Sequence, residues 1–115
     1  MKYLLLIYGN EAAMKSASKP DTEKMIGAYM AYSEAMTKAG VLLGGNRLQP
    51  TATASTVRVA NGKSKVLDGP YTETKEQLGG YFMIEVADLD AALAWAARCP
   101  GASHGAVEVR PIWAM

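Results

Sequence analysis

With 115 residues, half of them hydrophobic and a fifth charged, the chain carries enough apolar surface for one packed domain over 1–115 and too much for a disordered one. A net charge of +1 with no cluster of Lys and Arg argues against a nucleic-acid-binding protein. The lone Cys99 excludes an internal disulfide and points to a reduced, cytoplasmic setting.

The opening "MKYLLLIYG" is apolar on both parities and reads as a strand over 2–8 covered on both faces. Its apolar run is short and Asn10-Glu11 follow at once, unlike a secretion signal, and no segment has the ~18–20 apolar residues of a membrane span. Residues 12–19 read as a mobile loop. A helix is predicted over 21–39, capped by Asp21 or Thr22 and ended by Gly40, with Met25, Tyr29, Tyr32 and Met36 facing the core.

A second strand over 41–48 is interrupted by Gly44-Gly45, where a bulge or bend is expected. "TVRVA" and "KSKVL" flank Asn61-Gly62, the strongest short hairpin signal, because both positions tolerate the positive φ of a type I′ turn. The two-residue turn sets the register: Ala60 faces Lys63, Val59 faces Ser64, Arg58 faces Lys65 and Val57 faces Val66. Arg58 and Lys65 thereby oppose each other, while Asp68 falls on the valine face, where a carboxylate is expected to be buried and to need donors.

Residues 80–86 form a further strand. Asp88 caps a helix running to Arg98, with Leu89, Ala92, Leu93 and Ala96 as the expected inner face. The last strand, 106–112, contains Pro111 and so belongs at a sheet edge. The order β-α-β, hairpin, β-α-β predicts an α+β, ferredoxin-like split βαβ sheet with both helices on one face. Its helix-free face is expected to pair with a second copy of the chain.

Strand parity assigns Phe82, Ile84, Val86, Val107 and Val109 to the helix side, and Tyr81, Met83, Glu85, Glu108 and Arg110 to the open side. A bulge at Gly79-Gly80 would reverse that parity locally. Two readings fit the open-side charges: a cleft lined by carboxylates, a guanidinium and a phenol, or ion pairs sealing a dimer. Asp68-Gly69-Pro70 likewise reads as a turn or as part of a site, with Thr74 and Gln77 resembling a capping box for a short helical turn. His104, the single histidine, lies among small residues in a loop. No metal-ligand spacing, phosphate loop or nucleophile elbow is present, so neither a metal nor another cofactor is expected.

The stretches "MKYLLLIYG", "TVRV", "DGPYTETKEQLGGYF" and "GAVEVRPI" resemble the YCII-related family in its DGPF-domain branch, nearly end to end. Tyr71 stands where that branch has Phe. The resemblance implies a dimeric α+β barrel and a cleft lined by the motif, onto which Asp68, Gly69, Pro70, Glu73, Lys75, Tyr81 and Glu85 match. It places muconolactone isomerases and cofactor-free monooxygenases in the broader class, and a setting near extracytoplasmic-function sigma factors for the branch. His104 does not match the histidine of the proposed histidine–aspartate pair of the YCII branch proper.

Two functions follow as expectations. One is an enzyme acting on a small anionic metabolite, with Asp68 and Glu85 as acid–base groups and Arg58, Pro70, Glu73, Lys75, Tyr81 and Arg110 binding the ligand. The other is a non-enzymatic binding or regulatory module. In either case the expected partners are a second copy and a small anionic metabolite, with neither nucleic acid nor membrane. Tyr81, Glu85 and Arg110 are expected to converge with the 68–75 segment around one cavity.

Overall fold

The structure, a computed structural model, describes residues 1–114. Six strands and three α-helices follow in order: β1 Lys2–Gly9, α1 Glu11–Lys15, α2 Lys19–Lys38, β2 Leu42–Arg47, β3 Ser55–Ala60, β4 Lys63–Asp68, β5 Gln77–Glu85, α3 Leu89–Arg98 and β6 Ala106–Pro111. Strands β2-β5-β1-β6 make an antiparallel sheet, the ferredoxin-like order, with β6 and its Pro111 at the edge. Strands β3 and β4 form a separate two-stranded ribbon.

The core lies between the sheet and the two long helices. Tyr3 and Leu5 of β1, Ile84 of β5, Tyr32 and Met36 of α2, Ala92 and Ala96 of α3, and Cys99 are all buried. Phe82 packs edge-on against Tyr32, with ring centroids 5.5 Å apart. The Tyr32 hydroxyl donates to the Trp95 carbonyl at 2.7 Å, which ties α2 to α3 and satisfies the one polar atom of that ring.

Several boundaries differ from those the sequence predicts. Helix α2 begins earlier, with Ser18 as its cap: its Oγ accepts the Asp21 N–H at 3.2 Å. Pro20 then sits in the first turn, where a missing N–H costs nothing. Residues 12–19 are not a loop throughout, because Asn10 accepts the Ala13 N–H at 3.0 Å and starts α1. In α3 the inner face is Ala92, Ala96 and the flanking Trp95; Leu89 and Leu93 remain about half exposed. Alanines let the helix approach the sheet closely, which leaves the bulkier leucines on its flanks.

The hairpin register is the predicted one, pair for pair, around Asn61 at φ 53 and Gly62 at φ 76. Its environment is not. Val57, Val59 and Val66 are 58%, 68% and 61% exposed, so the valine face covers nothing within one chain. Asp68 on that face is exposed rather than buried. Residues 72–76 form no helical turn either. The Thr74 hydroxyl bonds the Glu76 carbonyl and Gln77 Nε2 donates to the Thr74 carbonyl at 2.5 Å, before β5 begins at Gln77.

One irregularity positions the site. Ile7 faces Gly80 and Tyr8 faces Leu78, so Gly79 is an extra residue in β5. Above the bulge, Phe82 and Ile84 face the helices as parity requires. Below it, parity reverses, and Leu78 turns to the helix-free face beside Tyr8.

Candidate functional site

That reversal builds the floor of a cleft. Tyr8, Leu78 and Ala106 come from three adjacent strands at one end of the helix-free face. One wall is the chain from Leu48 through Pro50, Thr51 and Thr53 to Ser55, Thr56 and Val57 at the base of the ribbon. The other wall comes from residues 70–77, excluding Glu73. Together they border a broad, open depression of about 1100 Å³, a little larger than small-molecule sites of roughly 300–1,000 Å³. A smaller depression of about 250 Å³, lined by Arg47, Leu48, Gln49 and Pro50, adjoins it.

The DGP turn is what brings the two walls face to face. Gly69 sits at φ 106, a conformation that side-chain-bearing residues rarely adopt, and its N–H donates to the Ala54 carbonyl at 2.6 Å. The Thr56 hydroxyl donates to the Gly69 carbonyl at 2.8 Å. Both bonds staple the end of β4 to the start of β3, so the chain leaving the ribbon must re-enter beside it. Pro70 then faces the cleft. The motif is therefore a turn at Asp68-Gly69 and a wall from Pro70 onward.

The cleft's lining is rich in hydroxyls, from Thr51, Thr53, Ser55, Thr56, Thr72 and Thr74, with apolar patches from Leu48, Pro50, Pro70 and Leu78. Lys75 supplies the cation and Glu76 the carboxylate. Glu76 reaches toward the floor, where a Cβ added to Gly105 would stand 3.1 Å from its Oε2. Tyr71 lines the cleft while remaining 75% exposed, and the Arg58 guanidinium lies 5.1 Å from the centre of its ring.

Of the residues expected to line one cavity, the structure brings Pro70 and Lys75 into the cleft and sets Arg58 behind Tyr71 at its rim. Asp68, the last residue of β4, pairs with Ser55 at the base of the ribbon, but neither it nor Glu73 is part of the lining. Tyr81 lies higher on the sheet, its hydroxyl accepting from Asn46 Nδ2 at 3.0 Å. Glu85 faces Lys2 at the far end of β5, about 23 Å from Leu78 at ~3.3 Å per residue. Arg110, opposite Leu4, forms an ion pair with Glu108. Tyr81, Glu85 and Arg110 are thus absent from the cleft's lining inside one chain: the length of β5 sets Glu85 apart, and the Tyr81 hydroxyl is engaged by Asn46. Tyr8, Leu78 and Glu76 were missed: Leu78 depends on the bulge, Tyr8 belongs to a strand whose two apolar faces read alike in sequence, and Glu76 reads as an ordinary surface charge.

Burial perturbs a different set of groups. It pushes the Tyr29 and Tyr32 phenols and the Cys99 thiol upward. The Cys99 thiol donates to the Tyr29 hydroxyl at 3.8 Å on the helix side, across the sheet from the cleft.

A ferredoxin-like sheet with an inserted ribbon and a hydroxyl-rich cleft at its base defines an α+β domain. The YCII-related domain matches residues 1–115, and the chain belongs to that family. It is also similar to an uncharacterised protein of Rhizobium meliloti (strain 1021), with 40% identity over 114 residues that span 97% of this chain and 92% of the relative.

Proposed function

We propose that the protein binds a small anionic metabolite in the cleft at the base of the ribbon. The observation that supports this reading is Lys75, a cation facing a large cleft among hydroxyls and apolar side chains. An ammonium holds a carboxylate or phosphate by charge. The hydroxyls of Thr51, Thr53, Thr56 and Thr74 already donate within the chain and can accept from the ligand's polar substituents, while those of Ser55 and Thr72 can also donate. In this reading the ligand's apolar part rests on Leu48, Leu78 and the two prolines.

Acid–base turnover without a cofactor would run through Glu76, the carboxylate in the cleft, rather than Asp68 or Glu85. A binding or regulatory module without turnover has its own support: the burial-perturbed groups Tyr29, Tyr32 and Cys99 sit in the core, not in the cleft. We place binding first and turnover second. The resemblance to the DGPF branch sets such a module beside sigma-factor regulation.

The same reading includes a homodimer formed through the helix-free face, whose Leu4, Leu6 and Met83 are only half-buried in one chain. Titration of a panel of small carboxylates and phosphates, followed by calorimetry, tests the ligand. Lys75→Ala is expected to weaken binding of the best anion about 10- to 100-fold, the worth of one charged hydrogen bond. Equal affinity in wild type and Lys75→Ala would overturn the assignment.

A further inference from the structure

Glu11, the first residue of α1, is absent from the cleft's lining, yet it touches both of the cleft's walls. Its Oε1 accepts the Thr51 backbone N–H at 2.8 Å, and its Oε2 accepts the Thr51 hydroxyl at 2.7 Å. Its own backbone N–H donates to Gln77 Oε1 at 3.0 Å, and Gln77 Nε2 continues to the Thr74 carbonyl. Thr51 belongs to one wall; Gln77 and Thr74 belong to the other. These bonds join positions 40 and 66 residues distant from Glu11.

We propose that Glu11 is a positioning residue that sets the width of the cleft by clasping its two walls from outside. The inference rests on reading the cleft as the ligand site. Thr51 offers two donors side by side, and a carboxylate meets both with its two oxygens, giving charge-assisted bonds of the stronger kind. Water would satisfy the same donors but would leave the walls unlinked. Helix α1 is the support: capped by Asn10, it holds the Glu11 backbone and side chain in one fixed relation. Between Arg47 at the end of β2 and Ser55 at the start of β3, the wall that bears Thr51 has only a short 3₁₀ turn, Thr51–Thr53, and Glu11 anchors that middle stretch.

The test is amide hydrogen exchange on the full chain, read by NMR. Glu11→Ala is expected to speed exchange of the Thr51 amide at least roughly tenfold, since that amide loses its partner. The Phe82 and Ile84 amides should stay within about twofold of wild type, which separates release of a wall from loss of the fold. Glu11→Gln should keep most of the protection, because its oxygen accepts the Thr51 N–H and its amide meets the hydroxyl. Gln77→Ala, on the opposite wall, should also speed Thr51 exchange, by roughly threefold, if the walls move as one unit. Unchanged Thr51 exchange in Glu11→Ala, acceleration spread evenly over the chain, or no response to Gln77→Ala would each overturn the clasp. The measurement uses no ligand, so its failure is distinct from a failure of the anion-binding reading.

Discussion

Single residues decide the cleft's shape through the space they leave empty. Gly105 is the sharpest case: a Cβ there would collide with the Tyr8 carbonyl and stand 3.1 Å from both the Glu76 carboxylate and the Gly9 Cα. Backbone cannot yield as a side-chain tip can, so Gly105→Ala is expected to destabilise the chain by about 1–3 kcal/mol. Gly44 provides the comparison, since a Cβ there meets nothing within 4 Å. Gly44→Ala should be neutral or raise stability by about 0.4–1 kcal/mol through the unfolded chain. Urea unfolding of both variants checks the pair, and equal effects would contradict the steric account. At this scale the motif points to Lys75 and Pro70, which line the cleft, whereas the surroundings of Asp68 were not legible. Its parity was read correctly, but nothing local shows that the valine face stands in solvent.

At the scale of elements, the ribbon and the helix pair behave oppositely. Asn61-Gly62 dictates the ribbon's register because a two-residue turn leaves no alternative pairing. Helix α2, by contrast, is held by what it meets: Tyr29 and Tyr32 press on Phe82, and Tyr29 receives the Cys99 thiol from the end of α3. Burial holds that thiol's proton more tightly in the folded chain than in the unfolded one, and the two phenols follow the same rule. Their contribution is whole below the ordinary thiol value of 9.0 and falls as pH rises above it, with the phenols adding to the loss above their ordinary 10.0. Urea midpoints measured from pH 7 to 11 should therefore decline on the alkaline side. In Cys99→Ala the decline should begin later, near the phenol range, and identical profiles would remove the thiol from the account.

Taken as a whole, the molecule is more extended than its length requires. Its radius of gyration is 16.0 Å, against about 13 Å for a compact chain of this size. The extents of 47 × 43 × 18 Å describe a slab, with the ribbon's valines bare and one sheet face without helices. A two-stranded ribbon is marginal alone in water, so its exposed apolar face favours a covering surface. In the homodimer proposed above, the second copy supplies it. Sedimentation at micromolar concentration should give twice the 12.3 kDa chain mass. Replacing Val57 and Val66 with Ser should shift the equilibrium toward the monomer. A wild-type monomer at that concentration would rule the assembly out.

Local chemistry alone determined the hairpin and its register, the caps at Asp88 and Gly40, the edge position of Pro111 and the ferredoxin-like order, because each rests on backbone geometry or on a period of two or 3.6. The cleft did not follow from such rules. The bulge at Gly79 moves Leu78 to the floor, Glu11 reaches Thr51 across 40 residues, and the length of β5 carries Glu85 away from the motif. Each depends on where distant segments come to rest, and sequence spacing carries no measure of that distance.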